Sequence, residues 1–398
     1  MSDEQIIIDL PPPGTLIRDL AVTAINMVGA FGGASISLKG NAAVISHRSL
    51  QDALSRFSNE IHYIYKVKNK GKNIRWPYLH VNDKGTLKKV IPQSQLDRIE
   101  TYGDAAEYFI REIPQLLGKG GRLSIKVGRS SIQLGQGKLS MFQLFKVELY
   151  EKALSYNMPY QLDLDVRMDD AWASLLLAGF VVSYMGMRVS DGVVLSTIPD
   201  IYDRCSQNSW LAINMASTLY NVPTNPTIPY MLYIYATAIL LEDPKNRGDM
   251  LSDIPEGLEL FEKLFGDKCE NRWARGVGLR IHRIALAGRT FTEVSREDLT
   301  IGGEIARLAD LCDQDNRDCN CLQQVRDFIR RGMGTEEPKV LNAVTMLYEA
   351  LIGSKDPSEA SYYIAMAIRD QEEREGRQII NIRCFKRLVE VLTGLTIR

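Results

Sequence analysis

The sequence predicts an α+β protein: a mixed N-terminal part with antiparallel hairpins over residues 1–200, then a mainly helical C-terminal part over residues 201–398. Three observations carry this. Residues 31–45 and 122–134 alternate apolar and polar positions between glycines, the period of a strand. Beyond residue 230 the apolar residues instead recur at helical spacing. Between the two textures the prolines of VPTNPTIP, residues 222–229, mark a rigid loop or seam.

Each element has a local reason. Pro11 to Gly14 stops the first segment. Residues 15–29 predict a helix, with Leu16, Leu20, Thr23 and Met27 near one face and Asp19 in the first turn. Residues 31–45 predict a hairpin turning at Gly40 and Asn41, and residues 49–59 a short helix. Residues 61–81, IHYIYKVKNKGKNIRWPYLHV, predict a second hairpin with Asn69, Lys70 and Gly71 at its tip. Residues 92–117 predict a broken helix with Tyr102, Ala106, Phe109 and Ile113 on its apolar face. Residues 122–134 predict strands, and residues 139–156 a helix with Phe142 and Phe145 toward the core. Residues 170–197 predict a buried helix leading into a strand pair that turns at Asp191 and Gly192. Further helices are expected at 258–265, 273–287, 303–312, 322–331, 340–352, 360–371 and 379–392.

Composition narrows the function. Apolar residues at 45% and charged residues at 24% belong to a folded protein. Lys plus Arg number 48 against 49 Asp plus Glu, which excludes a polycationic coat for DNA and leaves local patches or a place in a larger assembly. Met1 to Leu10 lacks the pattern of a signal peptide, and residues 171–187 and 230–241 are too short to span a bilayer. A cytoplasmic setting with no membrane partner is expected.

Charge is concentrated in places. Residues 59–89 hold eight Lys or Arg against two acidic residues, interleaved with aromatic rings. Cations beside stackable rings suit a polyphosphate backbone with exposed bases, and equally an ordinary exposed hairpin. The candidates there are Lys66, Lys68, Lys70, Lys72, Arg75, Trp76 and Tyr78. Lys119, Arg122, Lys126 and Arg129 form a second patch among glycines. Arg272, Arg275 and Arg283 can share a stripe in the helix region 271–289, suited to phosphates or to the acidic run 242–262.

No chemistry is written as a motif. Cys312, Cys319 and Cys321 look metal-like, but there is no CxxC knuckle, and only Cys384 or Asp313, Asp315 or Asp318 could complete a site. A turn with chance cysteines is the plainer reading. Six cysteines in this length do not resemble a disulfide framework, and Cys205, Cys269 and Cys384 read as isolated packed residues. The glycine-rich runs have neither GxxxxGKS nor GxGxxG order. Four histidines form no HExxH, and Asp163, Asp165, Asp169 and Asp170 are the one carboxylate group an enzyme could use. No catalytic residue, cofactor or metal is assigned.

The mixed N-terminal part, the run WASLLLAGFVVSYMGMRVSDGVVLSTIPD at 172–200 and the helical end are similar to the large subunit of archaeal type I CRISPR effector complexes, subtype A. That resemblance implies a non-catalytic subunit in antiviral defence, partnered with crRNA, target DNA and other effector subunits. It implies help in recognising the motif flanking the target and in opening the duplex. Trp76 or Tyr78 on a hairpin wedge would suit strand separation. The alternatives are a structural or assembly protein, viral or cellular, without nucleic-acid duty, and an enzyme centred on the aspartates.

Overall fold

Helix α1 (Leu16–Gly32) begins where the Thr15 side chain accepts the Arg18 N–H and ends at Gly33 in the left-handed region. It is buried on nearly all sides, including Leu16, Leu20, Ile25 and Met27. Such a helix needs apolar partners on more than one face. The computed structural model describes residues 3–70, 75–128, 131–147, 165–188, 192–201, 238, 277–287, 290–301, 307–312, 319–335 and 338–394. The chain divides into two compact units, Met1–Pro223 with Gly278–Asp298, and Thr224–Val277 with Leu299–Arg398.

In the first unit, strands β1 (Glu4–Asp9), β2 (Ser35–Lys39), β3 (Ala42–His47) and β4 (Gly121–Leu123) form a sheet of order β2-β3-β1-β4. Strand β3 runs antiparallel to both β1 and β2, so β1, α1 and β2 make a split β-α-β unit around it. Strand β4 closes the edge parallel to β1. The expected hairpin at 31–45 is therefore present, with Ile36 opposite Ile45.

The hairpin expected at 61–81 is instead the second half of helix α2 (Leu50–Lys70). Ala53, Leu54, Phe57, Ile61, Ile64, Tyr65 and Lys68 are buried, a helical stripe continuous from the first half. The short alternation of Tyr63 and Tyr65 lies inside that longer period. After helices α3 (Val81–Leu87) and α4 (Gln93–Leu96) comes α5 (Tyr102–Leu117), opened by a capping box between Thr101 and Asp104.

A second sheet has the order β5-β6-β8-β7, from β5 (Ile125–Val127), β6 (Ser131–Leu134), β7 (Leu139–Ser140) and β8 (Asp165–Met168). Residues 139–147 are not the start of a helix. Leu139 and Ser140 pair with β8, and a 3-10 turn at Gln143–Phe145 follows. That path buries Phe142 and Phe145 beside Tyr102, with ring centroids at 6.2 and 6.5 Å.

Helix α6 (Asp170–Ser183) is buried from Trp172 to Ser183 and capped by Asp169, as the apolar run predicts. It packs on α1 closely enough that a Cβ on Gly179 would stand 2.1 Å from the Leu20 carbonyl oxygen. It leads into a third sheet, order β12-β11-β10-β9, from β9 (Tyr184–Arg188), β10 (Gly192–Thr197), β11 (Val277–Ala287) and β12 (Thr290–Ile301). The helix expected at 273–287 is thus a strand over its described residues. Its apolar positions satisfy either period, and the ladder pairing Arg283 with Val194 and Ile281 with Ser196 decides between them.

In the second unit a 3-10 turn (Arg307–Leu311) stands within the helix expected at 303–312. Helices α7 (Asn320–Thr335), α8 (Pro338–Leu351), α9 (Pro357–Glu375) and α10 (Ile382–Thr393) follow, overlapping four expected helices. Asp356 and Asn381 cap α9 and α10, and Gly376 and Gly394 end them. The helix expected at 258–265 lies outside the described residues.

Candidate nucleic-acid interface

The basic stretch on α2 is divided by its helical geometry. Lys66 is exposed on the outer face with Asn59 and Tyr63, while Lys68, two positions on, points inward. Lys68 is 1% exposed, and its ammonium donates to the carbonyls of Val181 at 2.6 Å, Val182 at 2.9 Å and Tyr184 at 2.5 Å. A cation over the last carbonyls of α6 answers both their hydrogen-bonding need and the negative end of the helix. Burial pushes the Lys68 pKa well below the ordinary lysine range. Lys68 is therefore a core residue and not part of a surface site. The Lys70 side chain and Lys72 lie outside the described residues.

Trp76 is also corrected to the core. It is 6% exposed, stacks on Tyr184 with centroids 4.5 Å apart, and has Tyr65 and Phe180 within 6 Å. Gly103 of α5 leaves room for the ring, since a Cβ there would meet it at 2.5 Å. A ring held on several sides cannot serve as a wedge between base pairs. Its neighbours Arg75 and Tyr78 are exposed, Tyr78 at 71%, with its backbone bridged to Thr101. The Arg75 carbonyl accepts the Tyr184 hydroxyl, which holds this segment to the core.

The second patch lies on the surface. Lys119, Arg122 and Lys126 are exposed where the chain leaves β4, the edge of the first sheet, and enters β5, the edge of the second. Asp9 organises that crossing: its carboxylate meets Arg122 Nη2 at 2.7 Å and accepts the Ile125 N–H at 3.2 Å. Arg122 is thus partly neutralised, and among the described residues no ion pair engages Lys119 or Lys126. Arg129 lies outside those residues.

The arginine stripe is not assembled as a helix face. Arg272 and Arg275 lie outside the described residues, and Arg283 is half-buried on β11. The same strand carries a cluster that sequence spacing does not reveal. His282 is fully buried, with Nδ1 2.6 Å from Glu293 and Nε2 3.2 Å from Asp19 and 3.1 Å from Thr197. Arg280 joins Asp19 at 3.0 Å and grips Asp298 with two nitrogens. Burial alone would lower the His282 pKa, but its bonds to Asp19 and Glu293 and their charges outweigh it, so the pKa is raised.

The aspartates serve local structure. Asp165 pairs with Arg167 at 2.7 Å, and Asp169 accepts the N–H groups of Trp172 and Gln136. Asp163 lies outside the described residues. Among the described residues no group of three or more His, Cys, Asp or Glu is placed to hold a metal. The cysteines are not chance neighbours, because Cys312 bonds Cys319 and Cys321 bonds Cys384. The closeness of 312, 319 and 321 in sequence was a signal of this, and Cys384 becomes a partner only in the fold. Among the described residues no helix is long and apolar enough to cross a membrane. No protein-family model matches the chain, and no curated protein matches it.

Proposed function

We propose that this chain is a non-catalytic nucleic-acid-binding subunit of a multisubunit complex, touching the phosphate backbone along the Lys119–Lys126 edge. The observation that supports this is the segment KGGRLSIK, which presents three exposed cations and no acidic residue, Lys119 just before the first of two successive edge strands and Arg122 and Lys126 on them. Cations along an extended edge suit a regularly charged polymer. Lys66, Arg75 and Tyr78 are proposed as additional contacts, Tyr78 by stacking.

The resemblance to archaeal type I CRISPR large subunits gives that binding a setting, with crRNA and target DNA as ligands and duplex opening as the task. The two disulfides are compatible with a cytoplasmic archaeal setting, since intracellular proteins of hyperthermophilic archaea are disulfide-rich. A second reading, an assembly protein without nucleic-acid duty, draws on Tyr362 and Met366, which leave α9 62% and 45% exposed.

The test is binding to duplex, forked and single-stranded DNA and to RNA across salt concentrations, with Lys119→Ala/Lys126→Ala alongside. The proposal expects salt-dependent binding whose logarithmic slope falls by about 1 per lysine removed. Unchanged affinity and slope in the double variant would reject the edge as the interface. Absence of binding at low salt by the folded chain would favour the assembly reading.

A further inference from the structure

We infer that Cys321–Cys384 is a redox-active disulfide, opened by dithiols through attack at Cys321, while Cys312–Cys319 is a structural bond. The two bonds share a neighbourhood but differ in environment. Cys312 and Cys319 are 0% and 5% exposed, whereas Cys321 is half-buried and its partner Cys384 is 2% exposed, so attack is assigned to the Cys321 side.

Both cysteines of the Cys321–Cys384 bond belong to the first turn of a helix. Cys319 O accepts the Gln323 N–H, which places Cys321 at the start of α7. Asn381 caps α10 through the Cys384 N–H at 2.8 Å. The positive end of a helix stabilises a thiolate, so two such ends favour the reduced pair and make Cys384 a good leaving group.

Opening this bond need not release α10. Arg387, one turn beyond Cys384, donates to the carbonyls of Asp310 at 2.7 Å and Cys312 at 2.8 Å. The Asn381 N–H donates to Gln324 of α7 at 2.8 Å. These contacts hold the helices together whether or not the sulfurs are joined.

The step balances as ordinary exchange. A thiolate of the dithiol attacks Cys321 Sγ, and the bond to Cys384 breaks with its electron pair going to Cys384 as thiolate. The second thiol loses its proton to water and attacks the mixed disulfide, releasing Cys321 as thiolate. The dithiol is oxidised by two electrons and the protein pair reduced by two.

The experiment equilibrates the full chain in dithiothreitol buffers of graded reduced-to-oxidised ratio, traps thiols by alkylation and assigns them by peptide mass, with circular dichroism in parallel. Cys321 and Cys384 are expected to open at a ratio at least tenfold less reducing than Cys312 and Cys319, with the helical signal retained. The reverse order, opening only together with unfolding, or four free thiols in protein isolated without reductant would overturn the inference. In Cys384→Ser, alkylation of Cys321 is expected to reach half its maximal rate below the ordinary cysteine value of about 8.5. A midpoint at or above that value would also overturn it. If that variant does not fold, the trapping order in the native chain decides alone.

Discussion

Asp19 on α1 and His282 on β11 meet at 3.2 Å with no exposed side-chain surface on either. Arg280 reaches the same carboxylate from a position 261 residues away along the chain. Across this point runs a line of alternating charge, Asp298, Arg280, Asp19, His282 and Glu293, with Thr197 of β10 beside the imidazole. With His282 neutral, two buried carboxylates would face an uncharged ring, so the folded state favours the proton.

The sign of the resulting pH dependence follows. The folded pKa of His282 is raised above its unfolded value of about 6.5, so its stabilisation is fully present below that pH. The stabilisation is lost as pH rises through the folded pKa. Urea midpoints are expected to fall across that window and to flatten in His282→Gln. His282→Ala should cost about 3–5 kcal/mol near pH 6, because it removes the cation that the buried Asp19 and Glu293 carboxylates both face.

Lys68→Ala removes the donor to three carbonyls at the end of α6. A loss of about 3 kcal/mol is expected in urea unfolding. The folded fraction should bind nucleic acid as the native chain does, and a selective loss of binding at unchanged stability would return Lys68 to the interface.

Trp76 and Tyr78 are separated by one proline and have opposite fates. Trp76→Ala should cost about 3–5 kcal/mol, as for other large buried aromatics. Tyr78→Ala should shift stability by less than about 0.5 kcal/mol while weakening single-strand binding, if the proposed stacking holds. Equal stability effects would refute this division.

Gly179→Ala would drive a methyl into the Leu20 carbonyl and separate α1 from α6. A loss of about 3 kcal/mol at an unchanged denaturant slope is expected.

The disulfides differ in the chain length they close. Cys321 and Cys384 are 63 residues apart and Cys312 and Cys319 are 7 apart. On loop entropy, replacing the first pair by Ser should cost about 4 kcal/mol and the second about 2.5 kcal/mol, read from oxidised protein in urea.

Much of the architecture was legible from local signals. α1, α6, α9 and α10 each combine an apolar stripe or run with a capping residue, and both act over one or two turns. The basic patch of Lys119, Arg122 and Lys126 between glycine-bracketed strands was also legible, while the position of those strands at sheet edges follows from the sheet order. Residues 61–70 and 277–287 were misread because their apolar positions fit both periods over a short window. In the first case the continuous stripe of α2 decides, and in the second the ladder with β10.

From the residues alone come the α+β class, the helical character of residues 320–393 and the local concentration of positive charge, since composition and periodicity act between neighbours in the chain. Which charges face water is a different matter. Lys68 lies 113 to 116 positions from the carbonyls it caps, and Cys321 lies 63 from Cys384. Only the packed chain brings such groups together. Packing then offers three carbonyls to the Lys68 ammonium and aromatic faces to the Trp76 ring, and so turns a lysine and a tryptophan of the apparent surface into core.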